Sequence, residues 1–293
     1  MSCDKKVLNR AVYAVEGDMA SGKSTVVDHS ESKSVRSVLV VPWHPHEVSE
    51  YEIFSLKSIR RYSEGTEVVI ATPDASSLPP FLVPDRVEVF PAAFFETFLA
   101  NNRLMTSISF YERFEGYQQM ALVHADVLLF KPLAPLLQTL YPWSYVGAPW
   151  VGRTADGHFR FEGVGNGGFS MRRIPDFLDV LRGSTFPSIP RFTTKRKGMA
   201  LWAFLICCHV ASIRRERVSY IMNRHDILED VFWSKVAPCL SPKFTIAPIS
   251  AALAFSYETF PRFAYQGNHE QVPYGIHGWW RHDVEFVRAL APA

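Results

Sequence analysis

Between residues 37 and 130 the chain alternates short apolar runs with segments of helical spacing, and this alternation restricts the fold more than any other feature. SVLVVPW (37–43), TEVVIATP (66–73), RVEVFP (86–91) and QMALVHADVLLF (119–130) read as strands. EVSEYEIFSLKSIRRYS (47–63) has helical spacing, and TFLANNRLMTSISFYERFEGY (97–117) reads as one long amphipathic helix. Strands alternating with helices give an α/β fold with a mostly parallel sheet flanked by helices. Ligands of such sheets sit at the carboxyl ends of the strands. That rule sets Pro42-Trp43-His44, Thr72-Pro73 and His124-Ala125-Asp126 along one rim. The second half, rich in Pro, Trp and Gly, reads as an elaboration of the same unit, and no internal repeat is visible.

Charge and apolar content narrow the classes of partner. A net charge of +2 gives no case for nucleic acid. The longest apolar run, GMALWAFLICCHVASI (198–213), is short for a membrane span and reads as a buried helix. The opening MSCDKKVLNR lacks the apolar core of a signal peptide. Cys3, Cys207, Cys208 and Cys239 show no zinc spacing and read as reduced thiols. A soluble, cytoplasmic protein is the expectation.

VYAVEGDMASGKSTVV (12–27) carries Gly17, four residues, then Gly22-Lys23-Ser24, the spacing of a phosphate-binding loop. In a nucleoside or nucleotide kinase, Gly17 to Thr25 would cradle phosphates, with Lys23 on the β/γ-phosphates and Ser24 on Mg²⁺. Such a loop opens a helix that packs on the sheet. KSTVVDHSESKS offers only Val26 and Val27 for that packing before a serine-rich linker begins. Residues 1–34 therefore read as an appendage. Residues 35–293 read as one domain, with a nucleotide-binding half (35–135) and an acceptor half (136–293).

Four segments of the body carry chemistry. Asp126 stands at the tip of an apolar strand, where a carboxylate is costly unless it is paired or binds a cation, although it also suits a turn. GVGNGGFSMRR (163–173) has four glycines in six residues around Asn166, so backbone can approach a ligand closely; a plain hairpin is the alternative. Trp150, in the preceding YVGAPW, is delivered to the same region as a stacking face or as core. NRHDILEDVFW (223–233) places Glu229 and Asp230 at a helix start, as dipole partners or with one as general base. His277, in VPYGIHGWW, is a lone histidine of structural or ligand type.

Taken together and in order, SVLVVPWHP…EYEIFSLKSI, FYERFEGYQQMALVHADVLLF, YVGAPW, GVGNGGFSMRR, EDVFWS, APISAALAFSYE and VPYGIHGWW resemble the GT-A-like glycosyltransferases of the DUF5672 family across residues 37 to 286. The resemblance implies a GT-A-like, Rossmann-like fold and a UDP-sugar donor such as UDP-xylose, UDP-glucose or UDP-galactose. It also implies a glycan acceptor and a divalent cation, Mn²⁺ or Mg²⁺. On it, Asp126 matches the last acid of the DxD metal motif, with His124 where the motif has Asp, and His277 matches a C-terminal histidine that completes the metal site. Asp230 matches the base of inverting members, with Glu229 beside it. Asn166, Gly167 and Gly168 match a loop near donor sugar and acceptor. Pro42, Trp43 and Thr72 would meet uracil and ribose, and Asn102 and Arg103 the base or diphosphate. A sugar-binding module without catalysis would use the same aromatics and glycine loop. It would not require Asp126, Asp230 and His277 together.

Overall fold

The computed structural model describes residues 35–140, 142–183 and 227–291. The phosphate-loop-like segment, the expected helix at 198–213, and Cys3, Cys207 and Cys208 lie outside them. A six-stranded sheet forms the centre, its strands in the order Arg86–Val89 (β3), Glu67–Thr72 (β2), Ser37–Pro42 (β1), Gln119–Val123 (β4), Phe169–Arg173 (β9) and Tyr145–Gly147 (β6); β7 (Pro149–Arg153) and β8 (Phe159–Val164) pair separately as a hairpin. β1 (Ser37–Pro42), β2 (Glu67–Thr72), β3 (Arg86–Val89) and β4 (Gln119–Val123) run parallel. β9 (Phe169–Arg173) runs antiparallel between β4 and β6 (Tyr145–Gly147), so the sheet is largely but not wholly parallel.

Both faces of this sheet are buried, as its apolar strands require. Val38, Val40, Val69, Ala71, Met120 and Leu122 point to one side, where they join Phe110, Tyr111, Phe177, Phe232 and Trp233. Leu39, Val41, Val68, Ile70, Ala121 and Val123 alternate to the other, against Leu56 and Ile59 of the helix Glu50–Tyr62 and Leu133, Leu136 and Leu137 of the helix Leu133–Leu140. Glu50–Tyr62 starts on a capping box, in which Ser49 and Glu52 satisfy each other's backbone N–H. Among the described residues no helix is long and apolar enough to cross a membrane.

Two expectations need correction. The long helix at 97–117 is two short ones, Phe98–Leu104 and Ile108–Glu112. Thr106 Oγ1 donates to the Asn102 carbonyl at 2.8 Å and Ser107 Oγ to that of Leu104 at 2.9 Å. These hydroxyls compete with the helical ladder, and an extended Ser107 then caps the second helix through the Phe110 N–H. The strand expected at 119–130 also divides. After β4 the chain turns at His124-Ala125-Asp126, with the Val127 N–H on the His124 carbonyl. β5 (Val127–Leu129) then leaves the main sheet for a three-stranded one, made of β10 (Ser256–Tyr257), β11 (Gly275–His277) and β5 in that order, where it pairs antiparallel with β11.

A helical stretch, Glu229–Val231, a π-turn Phe232–Val236 and Ala237–Leu240, seals the first face. Trp233 is fully buried there between Phe177 and Phe244, and its indole N–H donates to the Met105 carbonyl at 3.1 Å. Trp233→Ala is expected to lower the unfolding free energy by about 3–5 kcal/mol. Urea denaturation would show the loss as a lower midpoint at unchanged slope. A loss below about 1 kcal/mol would mean that this ring cluster does not anchor the helix.

Candidate active site

The parallel strands reverse their order between β1 and β4, which opens a crevice at their carboxyl ends. A cavity of about 610 Å³ occupies it. Pro42, Trp43 and His44 follow β1, and His124, Ala125 and Asp126 follow β4. The loop Asn166–Gly168, leading into β9, lines it as well, together with Glu229 and Asp230.

Sheet register, not sequence proximity, builds the centre. In the β5–β11 pair Val127 stands opposite His277, and the Gly278 N–H reaches the Asp126 carbonyl at 3.0 Å. His277 Nε2 therefore lies 3.1 Å from Asp126 Oδ1. His124, Asp126 and His277 each offer a donor atom, all within 4.8 Å of one another. β10 (Ser256–Tyr257) runs parallel to β11 with Tyr257 opposite Ile276, which leaves Glu258 beside His277; its Oε1 is 3.0 Å from His277 Nδ1. Arg281 reaches Asp126 Oδ2 at 3.1 Å from the solvent side.

Charge in this cluster follows from burial and neighbours. Burial disfavours a charged His277, but Asp126 and Glu258 on either side outweigh it and push its pKa up to about 10. Burial likewise opposes the Asp126 carboxylate, yet His277, His124 and Arg281 hold its pKa below the usual range. Burial keeps His124 neutral, with a pKa pushed down to about 4. Its Nε2 is buried with no hydrogen-bond partner.

The adjacent acids face different surroundings. The Glu229 N–H donates to Asn102 Oδ1 at 2.7 Å, while its carboxylate turns inward against the guanidinium of Arg172, 3.3 Å away. Burial pushes the Glu229 pKa up to about 7, with Arg172 acting the other way. Asp230 is half-buried; its Oδ2 accepts the Asn166 N–H at 3.3 Å and its Oδ1 the Val231 N–H at 2.7 Å. Close approach makes the loop glycines obligatory. A Cβ on Gly167 would stand 1.3 Å from Glu229 Oε1, and one on Gly168 would stand 2.1 Å from His277 Nε2.

Most residues singled out in the sequence meet here: Pro42, Trp43, Asn102, His124, Asp126, Asn166, Gly167, Gly168, Glu229, Asp230 and His277 all line the cavity. Three do not. Thr72 is fully buried with its hydroxyl on the Asp74 backbone, Arg103 is exposed on the outer face of its helix, and Trp150 lies behind the glycine loop. A Cβ on Gly165 would come within 2.0 Å of the Trp150 ring, and Lys235 Nζ sits 4.6 Å from its centroid. Trp150 thus braces the loop. Trp43 is core at its body, with its indole N–H on the Ser77 carbonyl at 3.1 Å. Sequence reasoning missed Arg172, Glu258 and Arg281. Arg172 stands beside Arg173 at the end of FSMRR, where a charge reads as an exposed strand end.

The model of one family, described as a protein of unknown function, DUF5672, matches residues 85–277, well over half of the chain. The chain belongs to the DUF5672 family. Among solved structures, the apo form of mouse xyloside xylosyltransferase 1 aligns with a TM-score of 0.47 at 7% identity, covering 82% of this chain and 96% of that one. A glycosyltransferase involved in glycosylation of the major capsid of PBCV-1 aligns at 0.42 and 12% identity, covering 86% and 98%. The apo bifunctional glycosyltransferase WbbM aligns at 0.39 and 10% identity, covering 86% of this chain and 46% of that one. No curated protein matches the sequence.

The His277 charge gives a direct test in chelator-treated protein. A folded-state pKa near 10, against 6.5 unfolded, makes a contribution to stability that is complete below about pH 6.5 and lost as pH rises through about 10. Imidazole NMR titration should show His277 protonated at pH 8 in the parent. In Asp126→Asn its pKa should move down toward the ordinary value. An unshifted His277 in that variant would refute the pairing.

Proposed function

We infer that this DUF5672 protein is a GT-A-like glycosyltransferase that moves a sugar from a UDP-sugar to a hydroxyl of a glycan acceptor with the help of a divalent cation. The observation that carries the reading is the His124–Asp126–His277 cluster, set at the crevice of the sheet in one cavity with the carboxylate of Asp230.

The residues fit a cation. His124 presents a neutral, buried and unpartnered Nε2 beside a carboxylate and a second imidazole. Two nitrogens and one oxygen suit Mn²⁺ better than Mg²⁺, which prefers oxygen throughout. Glu258 on Nδ1 of His277 turns Nε2 toward Asp126, as outer partners of metal-bound histidines do. When bound, the cation would offset the negative charge that grows on the departing diphosphate.

The chain's own groups do the rest. Arg281, at the cavity edge, supplies a second positive charge for the diphosphate. Pro42, Trp43 and His44 close the end of the cavity after β1, where a base and ribose would rest. Asp230 takes the proton of the attacking hydroxyl. The N–H groups of Asn166 and Val231 aim its carboxylate without consuming every lone pair. A single base on one side of the anomeric carbon favours inversion. Glu229 does not touch the reaction in this scheme; it anchors the turn that carries Asp230.

Incubating the protein with UDP-glucose, UDP-galactose or UDP-xylose and Mn²⁺ should release UDP, by transfer or slow hydrolysis, and chelation should stop it. Asp230→Asn should cut turnover about a hundred- to ten-thousand-fold while UDP-sugar still binds. Turnover unchanged in that variant removes the base assignment, and binding without any turnover indicates a lectin. Deleting residues 1–34, or replacing Lys23 with Ala, should leave transfer intact. Phosphorylation of a nucleoside by ATP, abolished by Lys23→Ala, would establish the kinase instead.

A further inference from the structure

We propose that the outer face of the helix Glu50–Tyr62, with the loop tip at 78–83, docks on an anionic phospholipid surface. Of the ten large apolar side chains exposed among the described residues, five lie here: Tyr51, Phe54, Leu78, Phe81 and Val83. The helix turns Phe54, Lys57 and Arg61 to solvent along one line, with Tyr51 and Arg60 on its flanks. The loop joins this face through Lys57, whose Nζ sits 4.9 Å from the Phe81 ring centroid. Leu82, 2% exposed, pins the loop in the core, while its neighbours Phe81 and Val83 stand 54% and 72% exposed. Phe81 holds a left-handed backbone at φ 65°, which a bulky side chain rarely adopts. Such strain persists only where the surroundings impose it, and here it accompanies an aromatic ring held in solvent.

Charge selects the occupant. Lys57, Arg60, Arg61 and Arg288, the last on the helix Val284–Leu290, are exposed around these rings, against Glu50 and Glu285 as the exposed acids of the same two helices. Arg288 sits 5.4 Å from the Tyr51 ring, which stacks on Trp280 at 5.6 Å. Lysine is depleted from the cores of protein–protein interfaces. Aromatic rings interleaved with lysine and arginine match the headgroup region of a bilayer instead, where rings enter the apolar boundary and cations meet anionic headgroups. The patch begins at the edge of the cavity, since Glu52 and Arg281 line the cavity and adjoin Tyr51 and Trp280 in sequence. Docking would hold that cavity beside the membrane. The surface is independent of the glycosyltransferase reading, and neither donor nor cation enters its test.

Co-sedimentation of the full chain with phosphatidylcholine vesicles, with and without phosphatidylserine, tests this. Binding is expected to be tighter to the phosphatidylserine vesicles and to weaken as salt is raised. Lys57→Gln and Arg61→Gln should each weaken it about fivefold. Phe54→Ser combined with Phe81→Ser should weaken it about tenfold, with urea denaturation showing that the variants stay folded; the two charge variants, on the solvent face, keep the test open if this pair does not fold. No binding to phosphatidylserine vesicles overturns the proposal, and equal binding to both vesicle types overturns the anionic lipid as occupant. Parental affinity in all the variants also overturns it, since the contact would then lie elsewhere on the chain. So does a loss confined to the charge variants while the folded phenylalanine pair binds as the parent does, since the rings would then take no part. A parent that ignores vesicles, self-associates in sedimentation velocity and becomes monomeric on Phe54→Ser would assign the patch to a second copy of this chain instead.

Discussion

A fully buried arginine holds the site together. Arg172 lies on β9 with no solvent contact, in a position where an unpaired charge would be prohibitive. Every arm is engaged: Nε on the Ser170 hydroxyl, Nη1 on Tyr111, and Nη2 on the Gly167 carbonyl and the Glu229 carboxylate. One guanidinium therefore ties the sheet to the aromatic core, the glycine loop and the turn bearing Asp230. Removing one member of such a buried pair typically costs about 3–5 kcal/mol, because the other charge is left stranded. The gain is geometric: the loop and the acidic turn, more than sixty residues apart in sequence, are referred to one rigid point.

The cation-type cluster depends on a different device, the division of one apolar run into two strands. Had residues 119–130 continued straight, Asp126 would have ended buried in the main sheet. The turn at His124 sends β5 to pair with β11 instead, and register alone brings His277 to Asp126 and Glu258 to His277. In the cation-free protein a proton on His277 balances the two flanking carboxylates. A metal ion bound there would have to displace that proton.

These two devices also explain which features were legible in the sequence. β1 to β4 were readable because strands buried on both faces are continuously apolar, and the rim followed from topology. Asp126, Asp230 and His277 were visible as polar residues set against apolar runs. The break at Thr106-Ser107 was not visible, because helical spacing persists across it and only the capping hydroxyls reveal it. Glu258 was hidden for a similar reason: the strand before it is two residues long, too short to register as periodicity. Trp150 and Thr72 pointed to the correct neighbourhood, but a residue type cannot say which side of a loop it occupies.

The pair Glu229-Asp230 shows how far local pattern reaches. Successive residues of a helix do not face each other, so two adjacent carboxylates must enter different environments. Glu229 turns to Arg172 in the interior, and Asp230 turns to the cavity and takes its orientation from the Asn166 and Val231 N–H groups. The two acids thereby divide into a buried anchor and a cavity-facing carboxylate without any difference in their intrinsic chemistry. Sequence identifies the pair; only the position of Arg172, fixed by the antiparallel strand inserted between β4 and β6, determines which member serves which end.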